Sequence, residues 1–419
     1  MRRLLSITGM TAALTLFRMM SGFIIVKFVA IYAGAAGLAM LGQFQSLILI
    51  LNGIVNAPAG NAVVKYTAQY SHTSYSNCAP WWRASMRWIL ILITAIMTVG
   101  LPLSYYISDW VFQTERFGWV IQICLLLLPF SAAASLINSV INGTQDYKRF
   151  ILLGAVSVVV SSFLMIALVI NYSLVGALLA AALQGSAIGI VMLVSSCRQP
   201  WLKFRFWWGK VGDKHKAKIS GYMLMTIVSA VMMPLSLIGV RNITAYELNW
   251  DAVGHWQVVW KISEVYLSVI TIALGTYYLP RLSKLNTTDE IIHETGTTLK
   301  VVLPIISVMA FGIYLFRDLA ISLLFTKDFL VARELFGFQL CGDVIKIAGW
   351  VLAYPMIARG TTKWFISTEI VFGLLLIVLT FICVKWFSLQ GANIAYLLNY
   401  TLYVLFIRMN LRRIIDKTN

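Results

Sequence analysis

The chain has 419 residues, 60% of them hydrophobic and only 12% charged, with a mean hydropathy of +0.82. That balance lies far outside the range of soluble domains and reads as a polytopic membrane protein. The net charge of +17 is then a matter of topology and lipid contact, and nucleic-acid binding is not expected.

The first apolar stretch, residues 8–32, reads TGMTAALTLFRMMSGFIIVKFVAIY. Its length of about 37 Å as a helix crosses a hydrocarbon core of about 30 Å with some tilt. Arg2 and Arg3 give it a basic start, but it is too long for a signal-peptide core and no small-residue cleavage site follows clearly, so it is expected to be a retained span. Arg18 falls near mid-depth. Arginine at a helix centre costs roughly 2.5–3.5 kcal/mol on an insertion scale, so such a residue faces a wet interior and has a task.

Windows of about 19 residues predict twelve spans, near 8–31, 38–58, 88–107, 117–141, 150–170, 174–196, 219–240, 255–279, 299–316, 335–358, 364–384 and 390–407. With a cytoplasmic N-terminus, the outer loops hold only Arg116, Arg241, Arg317, Lys327, Arg333 and Lys385. Four bases lie in spans and all the others fall on the cytoplasmic side. The acids show no such bias, as the positive-inside rule requires. Both termini are therefore expected in the cytoplasm.

Cys78, Cys124, Cys197, Cys341 and Cys383 are scattered and odd in number, which suggests buried small hydrophobes and not a disulfide framework or metal site. His72, His215, His255 and His293 are equally isolated, so neither metal nor cofactor is expected.

The segment RQPWLKFRFWWGKVGDKHKAK, residues 198–218, carries seven bases against one acid with Trp201, Phe204, Phe206, Trp207 and Trp208 interleaved. It is read as an interfacial linker, its bases on anionic phospholipid headgroups and its aromatics at the boundary. It divides the chain into residues 1–197, the linker 198–218, and residues 219–419. The two halves resemble each other. Ser173-Leu174-Val175-Gly176-Ala177 is echoed by Ser388-Leu389-Gln390-Gly391-Ala392, and Gly143-Thr144 by Gly360-Thr361; Met19-Met20 recurs more weakly as Met232-Met233. An even number of spans separates the copies, so the expected fold is all-α: twelve transmembrane helices in two six-helix lobes, related by a pseudo-two-fold axis along the membrane normal.

Seven ionisable residues lie within spans: Arg18, Lys27, Lys261, Glu264, Asp343, Lys346 and Glu369. Lys261 with Glu264, and Asp343 with Lys346, stand three apart on one helix face and are able to neutralise each other. Arg18 has no acid at helical spacing and is available to an anion. Lys27 shares a cavity with Arg18 only if Ser21-Gly22 bends the helix; otherwise it snorkels to the outer interface. Lys65 is placed to reach the same cavity from the cytoplasmic side. Unpaired cations across a membrane suit an anionic solute, phosphate above all. No phosphate-binding Gly-x-x-x-x-Gly-Lys-Ser/Thr loop is present.

AGAAGLAMLGQFQSLI (33–48), VVKYTAQY (63–70), WQVVWKISEVYL (256–267), YYLPRLSKL (277–285) and LFGFQLCGDVIKIAGWVLAYPMIARG (335–360) carry a resemblance over nearly the whole length. The chain resembles the polysaccharide repeat-unit flippases, of the O-antigen translocase and lipid III flippase kind, in the multidrug/oligosaccharidyl-lipid/polysaccharide exporter superfamily. The resemblance implies a bacterial inner-membrane protein with a cationic cavity between two lobes. It would move an undecaprenyl-pyrophosphate-linked oligosaccharide outward by alternating access, with the polymerase and chain-length regulator of the same pathway as partners. The family pattern has bases at the positions of Arg18, Lys27, Lys65, Lys346 and Arg359, and acids at those of Glu264, Asp343 and Glu369. Lys261 departs from it, since the lipid III type has a small polar residue there, and the departure points to a different glycan.

The pyrophosphate is expected to dock between the lobes on Arg18, helped by Lys27, Lys65, Lys346 and Lys261. Glu264, Asp343 and Glu369 are candidates for proton or sodium coupling, with charge pairing as the alternative for the first two. With the inside negative by about 100 mV, moving a doubly anionic group fully outward would release roughly 4–5 kcal/mol. Two alternatives stand beside this reading: a cation-coupled multidrug exporter of the same superfamily, for which acids would be expected to outnumber cations in the spans, and a membrane polymerase or glycosyltransferase.

Overall fold

The computed structural model describes residues 2–416, and every regular element in it is helical. In chain order these are α1 (Arg2–Asn56), α2 (Asn61–Tyr70), α3 (Tyr75–Gly100), α4 (Ser104–Phe112), α5 (Gly118–Gly143), α6 (Tyr147–Ser196), α7 (Phe204–Trp207) and α8 (Asp213–Glu247). They continue with α9 (Trp250–Ala273), α10 (Leu279–Leu282), α11 (Thr288–Leu315), α12 (Arg317–Leu324), α13 (Phe336–Arg359), α14 (Thr362–Phe387) and α15 (Gln390–Asp416). A π-helical turn, Leu274–Tyr278, joins α9 to α10. Among the described residues, ten helices are long and apolar enough to cross a membrane.

Two of the ten are far longer than one crossing requires. The 50 residues of α6 would extend about 75 Å if straight, more than twice a hydrocarbon core. Each long helix breaks once. In α1 the break is Gly34, with φ 67° and ψ −166°; in α6 it is Ser173, with φ 47° and ψ −124°. Gly34 needs no Cβ, which makes its left-handed φ inexpensive. Ser173 adopts a left-handed φ with a Cβ present, a strained choice that its surroundings must hold in place.

The chain forms two compact units: Met1–Ala33 with Leu41–Pro234, and Gly34–Met40 with Leu235–Asn419. The division falls inside α8, at Pro234, and residues 34–40 of α1 belong with the second unit. The reason for that assignment is local. The Ala36 N–H donates to Asp251 Oδ1 at 3.2 Å, and a Cβ on Gly254 would lie 2.2 Å from the Ala35 carbonyl oxygen, so the turn at Gly34 is seated on the start of α9.

The recurring pentapeptides adopt matching backbones. Ser388, between α14 and α15, has φ 51° and ψ −139°, close to Ser173. Three residues after each serine, the glycine accepts a very close approach. A Cβ on Gly176 would sit 1.9 Å from the Leu168 carbonyl oxygen, and one on Gly391 would sit 2.2 Å from that of Cys383. In both places helix, left-handed serine and glycine make one tight helical hairpin whose backbones touch where only glycine fits.

Residues 198–212 fold differently from the interfacial reading. Trp201, Phe206 and Trp207 are buried, while Phe204 and Trp208 are exposed. Trp207 stacks on Trp82 of α3 with ring centroids 5.2 Å apart, and its indole N–H donates 2.9 Å to the Trp201 carbonyl. Arg83 donates to the Arg205 carbonyl, and Arg87 to that of Gly209 at 2.7 Å. Three of the five aromatics therefore belong to protein packing, because α3 offers them an apolar face and two guanidinium groups for otherwise unpaired carbonyls. The side chains of Asp213, Lys214, Lys216 and Lys218 lie outside the described residues.

The cysteines are all free: Cys78, Cys124 and Cys383 are buried as expected, whereas Cys197 and Cys341 are exposed. No group of metal-ligating side chains occurs among the described residues.

Candidate functional site

In the first unit, Arg18 lines a cavity of about 480 Å³ formed by α1, α5 and both parts of α6. Its wall is rich in uncharged hydrogen-bonding groups, among them Ser21, Ser135, Asn138 and Gln184. Among the described residues, Arg18 is the charged residue of that lining, and no acid shares the cavity with it. The guanidinium fits because residue 154 is glycine: a Cβ there would come within 3.1 Å of Arg18 Nη2 and 2.8 Å of Leu14 Cδ2. A guanidinium among neutral polar groups keeps its five donors for an anion.

Lys27 and Lys65 are not part of this lining. Helix α1 keeps helical φ/ψ at Ser21 and Gly22 and breaks only at Gly34, so the bend that would bring Lys27 beside Arg18 is absent. Lys27 has interactions of its own and is half-buried; Lys65 is exposed on α2, with its ammonium 5.7 Å from the Tyr66 ring centroid.

In the second unit, Lys261 and Glu264 lie on α9 and Asp343 and Lys346 on α13, the latter two packed with residues of α15. Asp343 is fully buried and accepts four hydrogen bonds. Ser263 Oγ (2.6 Å) and the Tyr266 hydroxyl (2.7 Å) donate to Oδ2, and the Tyr396 hydroxyl (2.8 Å) and Gln339 Nε2 (3.2 Å) donate to Oδ1. Four donors match the acceptor capacity of a carboxylate. One helical turn on, Lys346 is 94% buried by its 6% exposure. Its ammonium lies 5.2 Å from the ring of Trp260, 5.0 Å from Trp350, 5.4 Å from Tyr396 and 5.3 Å from Tyr400. These are cation–π distances, and four rings around one ammonium replace much of the water it has lost.

The two expected ion pairs part company here. Lys261 and Glu264 do form one, at 2.9 Å, with the Trp260 indole N–H donating 3.1 Å to the other carboxylate oxygen. Asp343 and Lys346 make no ion-pair contact among the described residues. Each is satisfied separately, Asp343 by three hydroxyls from α9 and α15 and the Gln339 amide of its own helix, Lys346 by ring faces from α9, α15 and α13 itself. Spacing along α13 allowed the pair, and tertiary packing chose other partners. Glu369, half-buried on α14, makes no ion pair among the described residues. Arg359 donates 2.6 Å to the Asn286 carbonyl at the end of α13.

Arg241 was expected in an outer loop and is instead inside α8. Only 2% exposed, it donates through Nε to Gln257 Oε1 at 3.0 Å and lies 5.8 Å from the Trp256 ring centroid. The hydropathy drop around Arg241-Asn242 ended the predicted span at 240; the helix runs on to Glu247 because the guanidinium has these buried partners. The signal available in the sequence was the Gln257 and Trp256 pair on the next helix.

A family model described as polysaccharide biosynthesis protein matches residues 81–334. The lipid III flippase of Escherichia coli strain K12 is 30% identical over 397 residues, covering 94% of each chain, and that of Shigella flexneri matches to the same extent. Among solved structures, an inward-facing multidrug resistance MATE family transporter of the MOP superfamily aligns with a TM-score of 0.76 and 14% identity, over 97% of this chain and 100% of its own. The lipid II flippase MurJ, in an inward closed conformation, aligns with a TM-score of 0.73 and 13% identity, over 97% and 90%. At such identities the two structures establish a shared fold.

Proposed function

The chain belongs to the polysaccharide biosynthesis protein family, and we propose that it is a flippase for a lipid-linked surface-polysaccharide repeat unit. The cargo in this reading is an undecaprenyl-pyrophosphate-linked oligosaccharide, an O-antigen unit or a related one, carried from the cytoplasmic to the periplasmic leaflet of the bacterial inner membrane. Counting the two parts of α1 and of α6 separately gives twelve spans, with both termini cytoplasmic, in two lobes of six. The lipid III flippases that match over 94% of the chain support the substrate class. Its relatives are flippases and transporters, which removes the polymerase and glycosyltransferase alternative; the drug exporter shares the fold alone.

One observation carries the reading at the level of chemistry: a mid-span guanidinium with no acid beside it, facing a cavity of neutral hydrogen-bonding groups. Arg18 takes the pyrophosphate, through charge-assisted and bidentate contacts that suit phosphate oxygens. Lys27 and Lys65 attract the anion from outside that cavity. Lys346 and Lys261 contribute positive potential from the second unit, and Glu264, Asp343 and Glu369 are the groups through which an ion gradient would reset the carrier.

Complementation tests this directly. In cells lacking their own repeat-unit flippase, the wild-type chain should restore surface polysaccharide, Arg18→Ala should fail at matched expression, and Arg18→Lys should restore it in part. Full function in Arg18→Ala would remove the guanidinium from the mechanism. Conversion of lipid-linked repeats into longer polymer by the purified protein would overturn the flippase reading altogether.

A further inference from the structure

Helix α13 commits one side to Asp343 and Lys346 and leaves the other open. At about 100° per residue, Gly337, Cys341 and Val344 fall on that other side. With Ser307, Phe311 and Tyr314 of α11 they line a groove of about 550 Å³ within the second unit. Its floor is unfilled at Gly337, where a Cβ would have nothing within 4 Å.

The groove changes character along its length. Glu334 and Gln390 stand at one end, and the wall beyond them is mainly apolar. Glu334 is exposed; Gln390 Nε2 donates 2.8 Å to its backbone carbonyl, while its carboxylate makes no hydrogen bond or ion pair among the described residues. Tyr314, at the same end, carries the guanidinium of Arg317 on its ring face, 4.2 Å from the centroid. The rim of the groove therefore holds a free carboxylate and a guanidinium, and its depth holds hydrocarbon.

Length and charge select the occupant. Val344 lies ten residues beyond Glu334, about 15 Å along a helix and half of a hydrocarbon core of about 30 Å. A helix of a second copy or of a partner would cross the whole core, whereas this groove ends near its middle, the reach of one acyl chain from one leaflet. A pyrophosphate head would place two negative charges beside the unpaired Glu334 carboxylate, which disfavours a polyprenyl pyrophosphate. A headgroup with both an ammonium and a phosphate matches both signs at the rim.

We propose that the groove between α11 and α13 is a binding site for one acyl chain of an aminophospholipid, with the lipid ammonium on Glu334 and its phosphate on Arg317. The chain fills the space that Gly337 leaves and packs between Phe311 and Phe338, two large side chains exposed by 62% and 43%. In the topology proposed above this lipid belongs to the periplasmic leaflet. The site requires only that α11 and α13 cross the membrane and is independent of what cargo the protein carries.

The test uses the purified full-length protein in nanodiscs doped with phosphatidylethanolamine that carries a photoreactive diazirine on its acyl chain, or with phosphatidylglycerol carrying the same chain. Adducts are mapped by peptide mass spectrometry. They should concentrate within residues 307–344, several-fold above the exposed face of α14, and phosphatidylethanolamine should label about two- to fivefold more than phosphatidylglycerol, the worth of one exposed ion pair. Gly337→Leu should lower labelling of the groove to the level of α14 without lowering the melting temperature, since its Cβ enters open space and leucine favours a helix. Glu334→Gln should make the two headgroups label equally. Adducts spread evenly over the lipid-facing helices, or unmoved by Gly337→Leu, would overturn the site. Equal labelling by both headgroups in the wild type would overturn the ammonium assignment, and loss of the adducts on adding a short-chain polyprenyl pyrophosphate would overturn the proposal by giving the groove to the cargo.

Discussion

Replacing Asp343 tests whether the buried polar cluster of the second unit holds α9, α13 and α15 together. The carboxylate takes donors from Ser263 and Tyr266 on α9, from Gln339 on its own helix and from Tyr396 on α15. Asp343→Leu keeps the branch at Cγ, with two bulkier methyl groups in place of the oxygens, and leaves four donors buried without an acceptor. Side-chain hydrogen bonds inside membrane proteins average about 0.6 kcal/mol and reach about 1.7, and a charged acceptor lies toward the upper end. Four bonds then total about 2.5–7 kcal/mol, of which the leucine's apolar packing recovers a small part. Asp343→Asn keeps one carbonyl oxygen, and the hydroxyls of Ser263 and Tyr266 are able to rotate and accept from its amide, so about half the loss is expected. The assay is reversible unfolding of the purified protein in mixed micelles, run as a double-mutant cycle with Tyr396→Phe. That second change removes the phenol oxygen and keeps the ring that faces Lys346. A coupling energy of about 1 kcal/mol between Asp343→Asn and Tyr396→Phe is expected. Additive effects, or an Asp343→Leu variant as stable as the wild type, would refute the account.

Gly176→Ala and Gly391→Ala should each abolish stable expression, since their Cβ atoms would lie 1.9 and 2.2 Å from backbone oxygens that cannot retreat without opening a helical hairpin; yield after membrane extraction reads this out. Ser173→Gly and Ser388→Gly relieve a left-handed φ of 47° and 51° and should raise stability by up to about 1 kcal/mol each, seen as a higher melting temperature. The double variant Arg83→Met/Arg87→Met removes the donors that hold the carbonyls of Arg205 and Gly209. Limited proteolysis should then cut within residues 198–212 several-fold faster, and an unchanged rate would mean that the aromatic packing alone secures the segment.

Much of this molecule is written along the chain. Hydropathy identifies membrane-crossing helices because the bilayer rewards apolar length irrespective of what the helix touches. The mid-span Arg18 stands out for the same reason: a charge at that depth is costly enough to be a signal by itself. The recurrent Ser-x-x-Gly-Ala motifs were legible too, since a glycine where backbones meet has no substitute. The sequence therefore determined by itself the helical class, the repeat and the candidate cation in the first unit.

The partners were another matter. Trp201, Phe206 and Trp207 look the same on paper whether lipid or protein covers them, and only the folded α3 places an apolar face and two arginines where they land. Asp343 and Lys346 stand at pairing distance along α13, yet Tyr266 from α9 and Tyr396 and Tyr400 from α15 reach them first. Arg241 sits where hydropathy falls, and its burial depends on Gln257 and Trp256 across a helix interface. In each case the deciding term is the short-range satisfaction of a buried polar group, which depends on side chains distant in sequence and is settled only when the helices pack.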